Sequence, residues 1–162
     1  MVSVPKRYVP ERLTKKDKKL QKKMLLKSRK LYKQNKYFTR KKLKSYKSKK
    51  SNHVVNAKKM YNIDKIVANK ELAKKTKCSV NALKKIVNKG KGAYYSSGSR
   101  PNQTAHSWGR GRLASSITGG KASVRDFSIL EKGCKKNSTA LKLARKAMKT
   151  YKRRRVPSIK LK

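Results

Sequence analysis

The chain has 162 residues, with 50 lysines and arginines against six aspartates and glutamates, a formal net charge of +44. That length suits one small domain with extensions, and such a charge repels itself unless polyanions surround it, which excludes an ordinary self-contained globular protein. Nucleic acid, an anionic membrane face and acidic protein surfaces all qualify as partners, and charge alone does not choose among them. No apolar run reaches membrane-spanning length and no signal-peptide core follows Met1.

Pro5 and Pro10, with Tyr8 and Val9 between them, predict an extended arm over residues 1–13. Thr14-Lys-Lys-Asp17 is a capping box with aspartate in place of the usual glutamate, and it predicts a helix over 15–32. Leu20, Met24 and Leu31 share one face of that helix, with Leu25 and Leu26 beside them. From Lys33 to Ser51 basic residues interleave with Tyr37, Phe38, Leu43 and Tyr46, a mixture that permits phosphate contact and base stacking. A short helix is expected within 56–68, on the spacing of Met60, Ile63 and Val67.

Residues 71–87 read as a helix-turn-helix-like pair. Ala73 lies where the helices approach, Ser79 caps the second helix, and Leu83 and Ile86 face inward, although the tight-turn glycine of that motif is here Lys77. If the pair meets DNA, Asn81, Lys84 and Lys85 project from the second helix, which is expected to stop near Gly90. Short helical hairpins of this spacing also serve as plain structural units.

Residues 90–120 differ from the rest. Lysine is absent between Lys91 and Lys121, acidic residues are absent too, and the basic residues are Arg100, Arg110 and Arg112. Glycines, paired tyrosines, Trp108 and short polar side chains suit a contact loop, because arginine binds anions bidentately or stacks on rings and large aromatics give rigid contact area. Tyr94, Tyr95, Arg100, Trp108, Arg110 and Arg112 are therefore the candidate partner-binding residues, and Ala93–Ser97 could add a short strand. The alternative is that the aromatics plug the domain's own core.

A helix over 123–132 should bury Val124, Phe127 and Leu130, and a last helix, capped by Asn137 or Ser138, carries Leu141, Ala144, Met148 and Tyr151. Lys152, Arg153, Arg154 and Arg155 then place positive charge at its end, and the three arginines join Asn81, Lys84 and Lys85 as candidate nucleic-acid contacts. Pro157 opens an extended basic tail. The expected architecture is mainly α: a basic arm and amphipathic helix over 1–55, a compact helical domain over 56–150, and a basic tail over 151–162.

Chemistry is sparse. Cys78 and Cys134 are distant lone cysteines, which argues against a disulfide framework and fits a reducing compartment. With His53 and His106 they show no metal-ligand spacing. Gly119-Gly-Lys-Ala-Ser123 lacks the hydroxyl after lysine and the upstream glycine that a phosphate-binding loop needs. The scattered carboxylates form no acid–base pair. No cofactor, metal, small-molecule substrate or enzymatic activity is expected, and the glycosylation-like triplets at Asn102 and Asn137 read as chance.

The run Gly92-Ala-Tyr-Tyr-Ser-Ser-Gly-Ser-Arg-Pro-Asn-Gln-Thr104, with Ser107-Trp-Gly109, Arg112-Leu-Ala-Ser115 and Gly119-Gly-Lys121, resembles a family of small basic proteins of large DNA viruses of algae and amoebae and of some tailed phages. The match covers the second half strongly and the lysine-rich first half in general character. The family carries no established activity, so what the resemblance implies is context: a virion component, assembled in host cytoplasm and residing in the capsid interior. On this expectation the protein is a minor capsid or internal virion protein that cements the lattice through contacts to major and minor capsid proteins or an anionic inner membrane. The alternative is a protein that condenses or organises double-stranded viral DNA. A ribosomal role would fit the charge but leaves the central motif unexplained.

Overall fold

The computed structural model describes residues 1–151 and 156–162. It is mainly helical, with eight α-helices and one two-stranded sheet among the described residues. Two compact units form, each from segments distant in sequence: unit 1 from 1–49, 91–108 and 155–162, unit 2 from 50–90 and 109–154.

In unit 1 the outer ends of the two expected arms are extended but not free, and the first arm turns into a short 3-10 helix at Lys6–Tyr8. Strand β1 (Val2–Pro5) pairs antiparallel with β2 (Ser158–Leu161), Val2 opposite Leu161 and Pro5 opposite Ser158. The two-residue alternation of a strand puts Val4 and Leu161 into the core, which anchors both termini by apolar burial. Helix α1 (Lys15–Tyr32) starts where its capping signal places it, Thr14 Oγ1 accepting the Asp17 amide at 3.2 Å. Aspartate is one methylene too short to close the box, and Ser45 bridges the gap: its amide and hydroxyl donate to the Asp17 carboxylate, and its Oγ accepts the Thr14 amide. Those bonds from Ser45 hold the Asp17 carboxyl below its ordinary range.

The buried face of α1 is Gln21, Met24, Leu25 and Ser28, while Leu20 lies exposed, so the apolar stripe expected through Leu20 is rotated. Two polar residues are tolerated on that face because each has a partner: Gln21 Nε2 donates to the Tyr8 carbonyl and Ser28 Oγ to that of Tyr95, both at 3.0 Å. The unit 1 core joins Val4, Tyr8, Val9, Leu13, Leu43 and Tyr46 to this face.

Unit 2 opens with α2 (Asn52–Tyr61), earlier than the spacing of Met60, Ile63 and Val67 suggests. Asn62 turns left-handed (φ 49°) and ends the helix, so Ile63 and Ile66 reach the core from irregular backbone while Met60 and Val67 stay exposed. Helices α3 (Lys70–Thr76) and α4 (Val80–Ser96) form the expected helix-turn-helix-like pair. Lys77 takes the glycine's left-handed place at φ 57°, and Ser79 Oγ accepts the Ala82 amide.

Helix α4 does not stop at Gly90, and the segment expected as a contact loop is largely helical, as is most of the candidate strand Ala93–Ser97, of which only Ser97 lies beyond the helix. Helix α5 (Ala105–Ile117) follows a turn entered at Gly98 (φ 102°). Thr104 and Ser107 exchange side-chain-to-amide hydrogen bonds, a capping box at its start. Gly90 is required for a different reason than termination: a Cβ there would lie 2.6 Å from the Gly109 Cα, so the two backbones meet glycine to glycine.

The helix expected over 123–132 is broken at Asp126 into α6 (Lys121–Arg125) and α7 (Phe127–Gly133). Helix α8 (Thr139–Thr150) is capped by Ser138, and it buries Leu141 and Ala144 while Met148 and Tyr151 are exposed. Cys78 and Cys134 form a disulfide, contrary to the sequence expectation. Backbone bonds from Ser79 to Gly133 and from Lys135 to Lys77 bring the two together, a pairing that spacing along the chain does not reveal. Closing a loop with a sequence separation of 56 stabilises by on the order of 4 kcal/mol in the chain-entropy model.

Candidate functional site

The signature segment acts first on its own unit. Arg40, the single arginine among the lysines of 33–50, is buried, and among the described residues it has no carboxylate partner. Its Nη1 donates to Ser28 Oγ and the Tyr94 carbonyl, both at 2.9 Å, and its Nη2 to Ser99 Oγ at 2.8 Å. The guanidinium carbon lies 3.8 Å from the centre of the Tyr94 ring, and the Tyr94 hydroxyl accepts the Arg40 amide. Burial pulls the Arg40 pKa down from its ordinary value.

Asn102 completes the grip. Left-handed at φ 59°, it accepts the Leu43 amide and donates to the carbonyls of Leu43 and Tyr46. Through Tyr94, Ser99 and Asn102 the motif therefore fastens the basic segment 38–47 in one conformation. These residues shape a surface rather than form one.

Of the six candidate partner-binding residues, Tyr94 is 0% exposed and belongs to this hub. Arg112 is held in a fork by buried Asp126, Nε to Oδ2 at 2.9 Å and Nη2 to Oδ1 at 2.7 Å, with Ser116 Oγ donating to the same carboxylate. Trp108 is half-buried, edge-on to Tyr8 at 5.9 Å. Tyr95 is half-buried in a ring cluster, and Arg100 and Arg110 are exposed.

Two surfaces carry the chemistry that remains, one in each unit. In unit 1 the rings of Tyr32, Tyr37 and Tyr95 cluster: Tyr37 lies 5.0 Å from Tyr95 and 6.2 Å from Tyr32, and Tyr95 packs edge-on against Tyr94. Exposed Lys33 and Lys36 are the neighbours of Tyr32 and Tyr37 in the chain. In unit 2 Asn81, Lys84, Lys85 and Asn88 are all exposed at i, i+3, i+4 and i+7 on α4, one polar face of the second helix of the pair. Arg153, Arg154 and Arg155 lie outside the described residues.

Acidic groups do little to offset this charge. Among the described residues two ion pairs form, Lys6–Glu11 and Arg112–Asp126, and the Asp17 carboxylate is taken by Ser45. The surface offers exposed ammonium groups on fixed helices and a few ring faces. Among the described residues no group of three or more histidines, cysteines, aspartates or glutamates is placed to hold a metal ion, and no helix is long and apolar enough to cross a membrane.

Sequence reading missed Arg40 and Asn102, although a lone arginine in a lysine run is a visible signal for a site that needs a planar fork. Compared with known proteins, residues 5–139 match a family of unknown function, DUF5824. No curated protein and no solved structure matches the chain significantly.

Proposed function

Since the chain belongs to DUF5824, a family of unknown function, we propose its role from the surface it presents: a non-enzymatic nucleic-acid-binding protein that organises DNA inside a virus particle. One observation carries the reading. Unpaired positive charge stands on a folded frame, with Asn81, Lys84, Lys85 and Asn88 aligned along the exposed face of the helix that enters the groove in helix-turn-helix proteins. The resemblance of residues 92–121 to basic proteins of large DNA viruses supplies the particle as the setting. A disulfide is in keeping with a released particle, where oxidising conditions let it persist.

The alternative, a minor capsid protein cementing the lattice, keeps one observation in its favour. Arg100 and Arg110 are exposed in the lysine-free segment, and arginines dominate protein interfaces. It loses Tyr94 and Arg112, which are engaged internally, and keeps Tyr95 and Trp108 only as half-buried rings, Trp108 edge-on to Tyr8. An anionic inner-membrane face would be met by the same lysines.

Salt dependence tests the α4 face. Replacing Lys84 and Lys85 by alanine should weaken duplex DNA binding and reduce the slope of log affinity against log salt by about 2, nearly one for each phosphate no longer neutralised. An unchanged slope would remove α4 from the interface.

A further inference from the structure

Tyr37 is 71% exposed, among the described residues the most exposed large apolar side chain after Met1. Leaving such a ring in water forgoes the free energy of burying it, and a solitary exposed ring would need no more comment than that. This one is not solitary. Tyr37 is tilted 54° against Tyr95 and 60° against Tyr32, while Tyr32 and Tyr95 are nearly parallel, 9° apart in plane and 6.4 Å between centres.

Behind them the order continues inward. Tyr95 meets Tyr94 edge-on at 5.1 Å and 85°, and Tyr94 is fixed by the Arg40 guanidinium. The Tyr95 carbonyl accepts Ser28 Oγ, which ties the cluster's backbone to α1. A continuous file of ring contacts thus runs from a fully buried tyrosine to an exposed one, so the outer ring is positioned before any ligand arrives.

The other rings of this basic segment are differently placed. Lys27 Nζ sits 4.6 Å from the Phe38 ring centre and the Arg12 guanidinium 4.5 Å from that of Tyr46, so each already has a cation over it. Among the described residues no cation covers Tyr32, Tyr37 or Tyr95 in this way. Lys33 and Lys36, both exposed, flank the cluster in sequence, and the described acidic residues of unit 1, Glu11 and Asp17, are occupied by Lys6 and Ser45.

An uncovered, preorganised ring whose chain neighbours are exposed lysines matches the chemistry of an unpaired nucleotide, which presents a flat π-face and a phosphate together. A base inside a duplex does not present that face. An acidic protein would meet the lysines but leaves the ring without a planar partner.

We propose that Tyr37, backed by Tyr32 and Tyr95, is a stacking site for an unpaired nucleobase, with the adjoining phosphates taken by Lys33 and Lys36. This rests on the nucleic-acid reading above and adds to it a preference for single-stranded over duplex segments in unit 1.

The experiment is a fluorescence-anisotropy titration of the full chain with three probes of equal length: oligothymidylate, the same backbone without bases, and a DNA duplex. Polyglutamate at matched charge is the competitor in each case. Tyr37→Ala should weaken oligothymidylate binding by about ten-fold while leaving the abasic strand and the duplex unchanged, and Tyr37→Phe should keep wild-type affinity. Oligouridylate run in parallel identifies RNA or DNA as the preferred source of the base. Equal losses on all three probes, or no loss on oligothymidylate, would overturn the stacking site while leaving the phosphate-binding reading intact. Displacement of every probe from the wild-type chain by polyglutamate would overturn the nucleic-acid reading itself.

Discussion

Arg40→Ala should destabilise unit 1 by about 4 kcal/mol, the largest effect expected of any single substitution there. The loss has three parts. The Tyr94 carbonyl and the hydroxyls of Ser28 and Ser99 lose the guanidinium donors they accept, the Tyr94 ring loses the group stacked on it, and a buried void replaces the side chain. Arg40→Lys separates geometry from charge. It keeps the cation but cannot reach three acceptors spread around a plane, so it should recover only about half of the loss. Trp108 packs against Tyr8 in unit 1 and is the chain's sole tryptophan, so its fluorescence during denaturant unfolding reads this transition. A transition that Arg40→Ala leaves in place would show that the hub is dispensable.

In unit 2 the corresponding expectation is that Asp126→Asn costs about 3 kcal/mol. The carboxylate is fully buried and is shared by the Arg112 fork and the Ser116 hydroxyl. Asparagine keeps the shape but removes the charge that compensates a guanidinium only partly open to water, 19% exposed by side chain. That partial exposure places the cost at the lower end of what breaking a buried pair entails. Far-ultraviolet circular dichroism against denaturant should show the midpoint falling. Replacing Arg112 by methionine as well should recover part of the loss, because no uncompensated cation then remains, and a double variant worse than the single one would contradict this account.

Elements governed by local rules were readable in the sequence. Helix α1 has both its limits as read, since a capping pair precedes an amphipathic run, and Ser79 and Ser138 cap the helices they were expected to cap. The contact loop was misread because α5 has no periodic stripe to detect. Leu113, Ala114, Ser115, Ser116 and Ile117 are buried on consecutive positions, so burial surrounds that end of the helix and small polar residues stand where apolar ones would mark a face. Gly90 looked like a stop and is a close approach, a distinction that depends on Gly109, nineteen positions along in the chain. The disulfide and the β1–β2 pairing are long-range in the same sense.

The candidate site was half-readable for a related reason. Lys84 and Lys85 follow from helical spacing alone, which depends only on α4. Tyr94 and Arg112 fit an interface by residue type, yet what a ring or a guanidinium does depends on whether an internal partner claims it first. Arg40 claims Tyr94, and Asp126 claims Arg112. What they leave outside includes many lysines, the exposed Arg100 and Arg110, and the tyrosine cluster of unit 1.

Fractionation of purified particles into emptied shells, membrane and released DNA, with this protein quantified in each across a range of salt, tests the proposed role most directly. The protein should leave with the DNA and dissociate from it as salt rises, with the log–log dependence expected of counterion release. Retention on emptied shells at high salt would contradict that role and make the exposed Arg100 and Arg110 the interface to map.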